Sequence, residues 1–291
     1  MNVLSLFDGM SCGQIALEKV GIKVDNYFAS EIKKHAIEVT QFNYPNTIQL
    51  GDVSKIDVSK LPKIDLLIGG SPCQDFSSQN RERKGLAGIK SNLFFEYLRI
   101  KKELEIINPD LKYILENVMM LPIHFATLSN YMETYPFETN GSLVSAAMRR
   151  RLFWTNIGPY YKDLFGFNHC DIPQPKDKKI TLQSVLTDGY TDRKKAVCLK
   201  TTNGGSITGD YEHDYNLIQK RHLKDFDNFI FNSPDFDVKK GVRFLNQTEL
   251  ERLHNIPAGY TKILNCKKAH DLIGDGWTVD IVAHILQFCK N

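Results

Sequence analysis

A chain of 291 residues, 42% of them hydrophobic, can bury one large core or a core and a small second lobe. Its 24% of charged residues excludes a collagen-like rod or a disordered tail, and its net charge of +3 is too small to argue for a nucleic-acid partner by itself. No apolar run approaches the roughly 18 residues that span a bilayer, MNVLSLFDGM lacks the marks of a signal peptide, and Cys12, Cys73, Cys170, Cys198, Cys266 and Cys289 form no CxxC or zinc-type spacing. A reduced, cytosolic enzyme with no metal and no membrane partner is expected.

In chain order, Val3–Phe7 reads as a buried strand, broken by Gly9 and Gly13, and Gln14–Val20 as a helix. Val24–Ala29 is a second strand, Glu31–Gln41 a helix, Thr47–Leu50 a third strand and Asp65–Ile68 a fourth. Asn92–Ile107 has helical spacing in Leu93, Phe94, Tyr97, Leu98 and Leu104 and ends at Asn108-Pro109; Tyr113–Leu115 is the next strand. This alternation predicts an α/β fold with a doubly wound, mostly parallel sheet. After about Asn156 the chain becomes loop-rich, with Lys194–Leu199 and Phe229–Phe231 as candidate strands. Arg243–His254 and Thr278–Phe288 read as helices. The expected division is a catalytic and cofactor-binding part at 1–157, a smaller lobe at 158–242, and a C-terminal return at 243–291 that completes the first.

Open sheets of this kind bind ligands beyond the carboxyl ends of their strands. Asp8-Gly9, Glu31, Asp52, Gly70–Cys73 and Glu116-Asn117 all directly follow apolar runs, which points to one shared crevice. In Phe7-Asp8-Gly9-Met10-Ser11-Cys12-Gly13 the glycines admit a ligand to the backbone and the next helix offers its positive N-terminus, although the spacing is not GxGxxG. Glu31 stands where an acid accepts from a ribose, and Asp52 where one accepts from an adenine amine. Cys73, in the Gly/Pro-shaped loop Gly69–Ser77, is a nucleophile candidate. Glu116 is a carboxyl able to hold or protonate a ring nitrogen. Arg149-Arg150-Arg151 precedes the apolar run Leu152–Trp154; on a strand Arg149 and Arg151 would share a face.

This ordered set resembles the cytosine-C5 DNA methyltransferase family over nearly the whole chain. FDGMSCG is similar to the cofactor-loop motif; Glu31, Gly51-Asp52, SPCQDFS, Glu116-Asn117-Val118, MRRRLFW, RFLNQTELERLHNIPAGYT and GDGWTVDIVAHIL follow in the family's order. FDGxxxG, GGSPCQDFS and SAAMRRRLFW resemble above all the animal de novo subgroup, without its chromatin-reading domains, as in a stand-alone bacterial or phage catalytic domain.

The resemblance implies S-adenosylmethionine as cofactor and double-stranded DNA as partner. It implies Cys73 as the nucleophile toward C6 of a flipped cytosine, Glu116 on N3 and the exocyclic amine, Arg151 on O2, and Arg149 supporting Cys73 and its loop. The cofactor would be held by Phe7, Asp8, Gly9, Met10, Ser11, Gly13, Glu31, Ile32, Asp52, Val53, Gly70, Pro72, Leu93, Asp275, Gly276 and Trp277. Gln74 and Ser77 would face DNA, and the run Thr201, Thr202, Asn203, Gly204 is the candidate groove-entering loop of a target-recognition lobe. The chain departs from the family pattern at Gly9-Met10-Ser11 (for GxG), Ala147 (for Gln), Asp275 (for Asn) and Ile32 (for an aromatic that stacks on adenine); Met10 or Val53 would then help cover the ring.

Two alternatives stand beside the DNA enzyme. One is a tRNA cytosine methyltransferase, whose PPCQPFT-like loop differs from SPCQDFS; the other is an inactive DNA-binding homologue, against which stand Cys73, Glu116 and both arginines. A monomer at the nucleoid of a bacterial or phage-infected cell is expected. A restriction-enzyme partner is left open.

Overall fold

The computed structural model describes residues 1–71, 92–191, 193–199, 217–219 and 242–290. The chain divides into two compact units, Met1–Asn140 with Arg150–Pro175 and Val279–Asn291, and Gly141–Arg149 with Lys176–Thr278.

The first unit is built on β1 (Asn2–Leu6), β2 (Asn26–Ser30), β3 (Ile48–Gln49), β4 (Leu66–Gly70) and β5 (Lys112–Val118), all parallel. Between them run α1 (Cys12–Lys19), α2 (Lys34–Asn43) and α3 (Asn92–Ile107). The sheet continues with β7 (Phe137–Asn140) and β8 (Arg150–Thr155), in the order β3-β2-β1-β4-β5-β8-β7. The order reverses at β1, so right-handed crossovers place α1 and α2 on one face and α3 on the other. Strands covered on both faces need continuous apolar runs. Accordingly Leu4, Leu6, Leu67 and Leu115 lie wholly inside one core with Phe94, Tyr97 and Trp154.

The register brings the functional ends into line. Leu6 pairs with Ser30 and Gly69, and Gly70 pairs with Glu116, so the chain leaves β1, β2, β4 and β5 at one edge. β8 runs antiparallel to β5, which returns Arg151 to that edge opposite Val118.

α4 (Pro122–Met132), β6 (Thr134–Tyr135), β9 (Tyr160–Lys162) and β10 (Asn168–Cys170) complete this unit together with α8 (Val279–Leu286), which packs on α1. The second unit contains α5 (Leu182–Val185), the antiparallel pair β11 (Leu217–Gln219) and β12 (Val242–Phe244), α6 (Gln247–Leu253) and α7 (Cys266–Asp275). Among the described residues no helix is long and apolar enough to cross a membrane.

The doubly wound, mostly parallel sheet and the eight leading elements through β5 agree with the sequence reading. Two local readings need correction. Arg243–His254 is not one helix: Val242–Phe244 pairs with Leu217–Gln219, and α6 starts only at Gln247. The reason is a capping box, in which Asn246 Oδ1 accepts from Glu249 N (3.0 Å) and Glu249 Oε2 from Asn246 N (2.8 Å). Lys194–Leu199 forms no strand ladder, only a bridge of Ala196 to Ala147. Phe229–Phe231 lies outside the described residues. The helices α4 and α7 carried readable start signals: Pro122 at the first turn, and Asn265, whose side chain accepts from Lys268 N.

Candidate active site

The turn after β1 is held in a conformation that most residues avoid. Phe7, Gly9 and Ser11 all have positive φ, at 56°, 61° and 61°. Gly9 has open space where a Cβ would be. The turn is pinned by side chains. Glu31 Oε2 accepts from Gly9 N (2.8 Å), while its Oε1 accepts from Ile32 N (2.7 Å) and Lys33 N (2.8 Å). One carboxylate at the end of β2 therefore fixes both its own strand end and the neighbouring glycine turn.

Asp8 sits at the bottom of this turn. Its carboxylate accepts from the Tyr27 hydroxyl (2.8 Å) and from the Ser11 hydroxyl. Burial pushes its pKa up to about 6, more than bonds from Ser11, Ser5 and Tyr27 pull it down, and nearby Glu31 adds to the rise. Ser11 also receives Thr40 Oγ1 (3.2 Å) and Gln14 Nε2 (3.2 Å). Tyr27 and Thr40 were not legible as site residues, because each lies inside a strand or helix where its type has a packing role.

The other cofactor candidates divide by exposure. Ile32 is 76% exposed beside Glu31, whereas Met10 is fully buried and Val53 belongs to the core with Leu4 and Phe28. Gly13 faces the sheet: a Cβ there would lie 2.8 Å from the Tyr27 hydroxyl and collide with Ile68, so glycine lets α1 pack closely. Asp52 Oδ1 accepts from Ser54 N (3.0 Å) and Ser54 Oγ (2.9 Å), and the Ser54 backbone bond is the main reason its carboxyl is held below the usual carboxylate range. Leu93 packs against the core at the start of α3.

At the same edge, Glu116 is buried at the end of β5 with its Oε1 2.8 Å from Arg151 Nε. Arg151 Nη1 donates to the Arg150 carbonyl (2.8 Å), while the Arg150 side chain turns away to Glu138. Asn117 Nδ2 donates to Ser71 Oγ (3.0 Å), tying the end of β5 to the residue after β4. Asn117 thus acts on the chain that leads toward Cys73, a role its neighbour Glu116 overshadows in the sequence.

Arg149 precedes β8 and belongs to the second unit. It is buried, and its Nη2 donates to the Gly276 carbonyl (2.8 Å), with Cys198 Sγ 3.5 Å from Nη1. Asp275 ends α7, with Gly276 as its C-cap and Trp277 following. Pro72, Cys73, Gln74, Ser77, Thr201, Thr202, Asn203 and Gly204 lie outside the described residues.

Among known proteins, the chain is 27% identical to the Type II methyltransferase M1.ScrFI of Lactococcus lactis subsp. cremoris, over 98% of this chain and 77% of that one. It is 26% identical to the Type II methyltransferase M.NlaX of Neisseria lactamica, over 99% of this chain and 96% of that one. The fold is similar to the crystal structure of S. pombe Dnmt2 methyltransferase, with TM-score 0.72, 15% identity, and 99% and 97% of the two chains covered. The profile described as C-5 cytosine-specific DNA methylase matches residues 1–233. With most of its length under that profile, the chain belongs to the C-5 cytosine-specific DNA methylase family.

Proposed function

We propose that the protein transfers a methyl group from S-adenosylmethionine to C5 of a cytosine flipped out of double-stranded DNA. The observation that carries this reading is the buried Glu116–Arg151 pair at the edge where β4 delivers Gly70-Ser71 toward Cys73. A carboxyl and a guanidinium side by side offer complementary contacts to the polar edge of cytosine, next to the strand end that carries the thiol.

The residues after β1 and β2 fit the cofactor. Glu31 has two amide donors on Oε1 and one on Oε2, which leaves lone-pair capacity on Oε2 for a ribose hydroxyl. The exposed Ile32 beside it offers an apolar surface to a purine, and bare Gly9 allows close approach. Bound S-adenosylmethionine would supply the methyl group that C5 takes.

The chain's own residues do the rest. The Cys73 thiolate adds to C6, forming a C–S bond and moving an electron pair onto C5. Glu116 holds N3 and the exocyclic amine so that the ring accepts this addition, and Arg151 holds O2. A base then takes the C5 proton, the pair re-forms the C5–C6 double bond, and Cys73 leaves as thiolate. The cytosine must be extrahelical, since stacking covers its face. The Type II names of the two relatives support a place in a restriction–modification pair.

Incubation with tritiated S-adenosylmethionine and either duplex DNA or tRNA tests the reading. Label in DNA, and a denaturant-resistant adduct with 5-fluorocytosine DNA that Cys73→Ser abolishes, is the expected result. Label only in tRNA would replace DNA by tRNA, and no label in either would remove the activity.

A further inference from the structure

The short 3-10 turn Gly141–Leu143 and the residues after it present four successive carbonyls, and three donors satisfy them. Leu143 O receives Lys178 N (2.8 Å) and Val144 O receives Asn255 Nδ2 (3.1 Å). The remaining two, Ser142 O and Ser145 O, both receive Lys195 Nζ, at 2.6 and 2.7 Å. One ammonium thus closes the turn, as cations do at the carbonyl ends of helices.

The turn leads directly to Arg149. Ala196, next to Lys195, exchanges backbone bonds with both sides of Ala147: Ala196 N donates to Ala146 O (2.7 Å) and Met148 N to Ala196 O (2.9 Å). Gly141 N donates to Arg149 O (2.9 Å), and the Arg149 guanidinium reaches the Gly276 carbonyl. Gly141 also lies hard against Thr278; a Cβ there would stand 2.8 Å from Thr278 Oγ1. Segments 141–149, 195–198 and 276–278 are therefore locked together with Arg149 at their junction.

We infer that Lys195 is a positioning residue for the cofactor: it sets the 141–149 turn, and through Arg149 it sets the Gly276 carbonyl in the return Asp275–Trp277. The inference rests on the functional reading above together with the family resemblance, which gives that return to the cofactor. Lys195 Nζ is engaged by the Ser142 and Ser145 carbonyls. It acts on where a distant carbonyl sits. Burial draws its ammonium below the ordinary lysine range, with Asp177 opposing.

The test is titration calorimetry of S-adenosylmethionine with the full chain, wild type, Lys195→Met, Lys195→Arg, Arg149→Ala and the double variant Lys195→Met/Arg149→Ala, each checked for a cooperative thermal melt. Lys195→Met should weaken the cofactor by about tenfold, the scale of lost charged hydrogen bonds. Lys195→Arg, which keeps charge and donors, should restore most of the affinity. In the Arg149→Ala background Lys195→Met should add nothing, because the path runs through Arg149. In methyl transfer, KM for the cofactor should rise by more than kcat falls. Unchanged affinity in folded Lys195→Met, or full additivity in the double variant, overturns the inference. Should Lys195→Met not fold, Lys195→Gln is measured against the same two outcomes. Wild-type protein that binds no S-adenosylmethionine overturns instead the functional reading on which this rests.

Discussion

Arg151 Nε lies 2.8 Å from Glu116 Oε1, across an antiparallel pair in which Arg151 opposes Val118 and Glu116 opposes Phe153. Two groups thirty-five positions apart in sequence thus share one strand edge and pair there in a buried setting. On the proposed function, Glu116→Gln should lower methyl transfer by about 10² to 10⁴, the range of a lost general acid, while DNA affinity stays or rises. Gel-shift and single-turnover assays on the same preparation check it. Parallel loss of binding and rate would make Glu116 a structural residue.

Glu31 takes three backbone amides and holds Gly9 in place. Glu31→Ala should weaken S-adenosylmethionine by about 1–3 kcal/mol, the cost of a charged hydrogen bond and of the loosened turn. Calorimetry reads this directly, and an unaltered dissociation constant would take Glu31 out of the cofactor site.

Burial raises the pKa of Asp8 from 3.8 to about 6. Between those values the folded chain holds a proton that the unfolded chain has lost, so stability from this group falls as pH rises from about 4 to about 6. The total is on the order of 3 kcal/mol. Asp8→Asn should remove that slope. Urea midpoints of both proteins across this window decide it, and parallel pH curves would mean Asp8 titrates near its ordinary value.

Tyr97 is wholly buried on α3, and its hydroxyl has no hydrogen-bond partner among the described residues. An unmet buried hydroxyl costs about 1–3 kcal/mol. Tyr97→Phe should therefore leave stability unchanged or raise it, although it deletes a polar atom. A loss above about 1 kcal/mol in denaturant unfolding would show that the hydroxyl is satisfied in solution.

Gly13 sits where α1 crosses β2 and β4, with no room for a Cβ beside Tyr27 and Ile68. Gly13→Ala should cost about 1–3 kcal/mol through overpacking, despite alanine's better helix propensity. Thermal unfolding measures it; an unchanged or raised midpoint would mean that Tyr27 and Ile68 give way freely.

The sequence by itself determined the parallel sheet, its leading elements and the motifs of the family. The reason is physical: a strand buried on both faces must be apolar throughout, so the first polar residue after each run marks a strand end, as Asp8, Glu31 and Glu116 do. Glycine positions were legible too, but not their separate reasons. Only the fold shows that Gly9 borders open space while Gly13 admits the sheet.

Tertiary structure alone decided the pairings. Arg149, Arg150 and Arg151 are identical in type and adjacent in sequence. Yet Arg149 turns to Gly276, Arg150 to Glu138 and Arg151 to Glu116. Side-chain alternation predicts opposite faces on a strand, but the strand begins only at Arg150, so Arg149 answers to the turn behind it. Lys195 gave no signal at all, because its partners are main-chain carbonyls some fifty positions away, which no residue type announces.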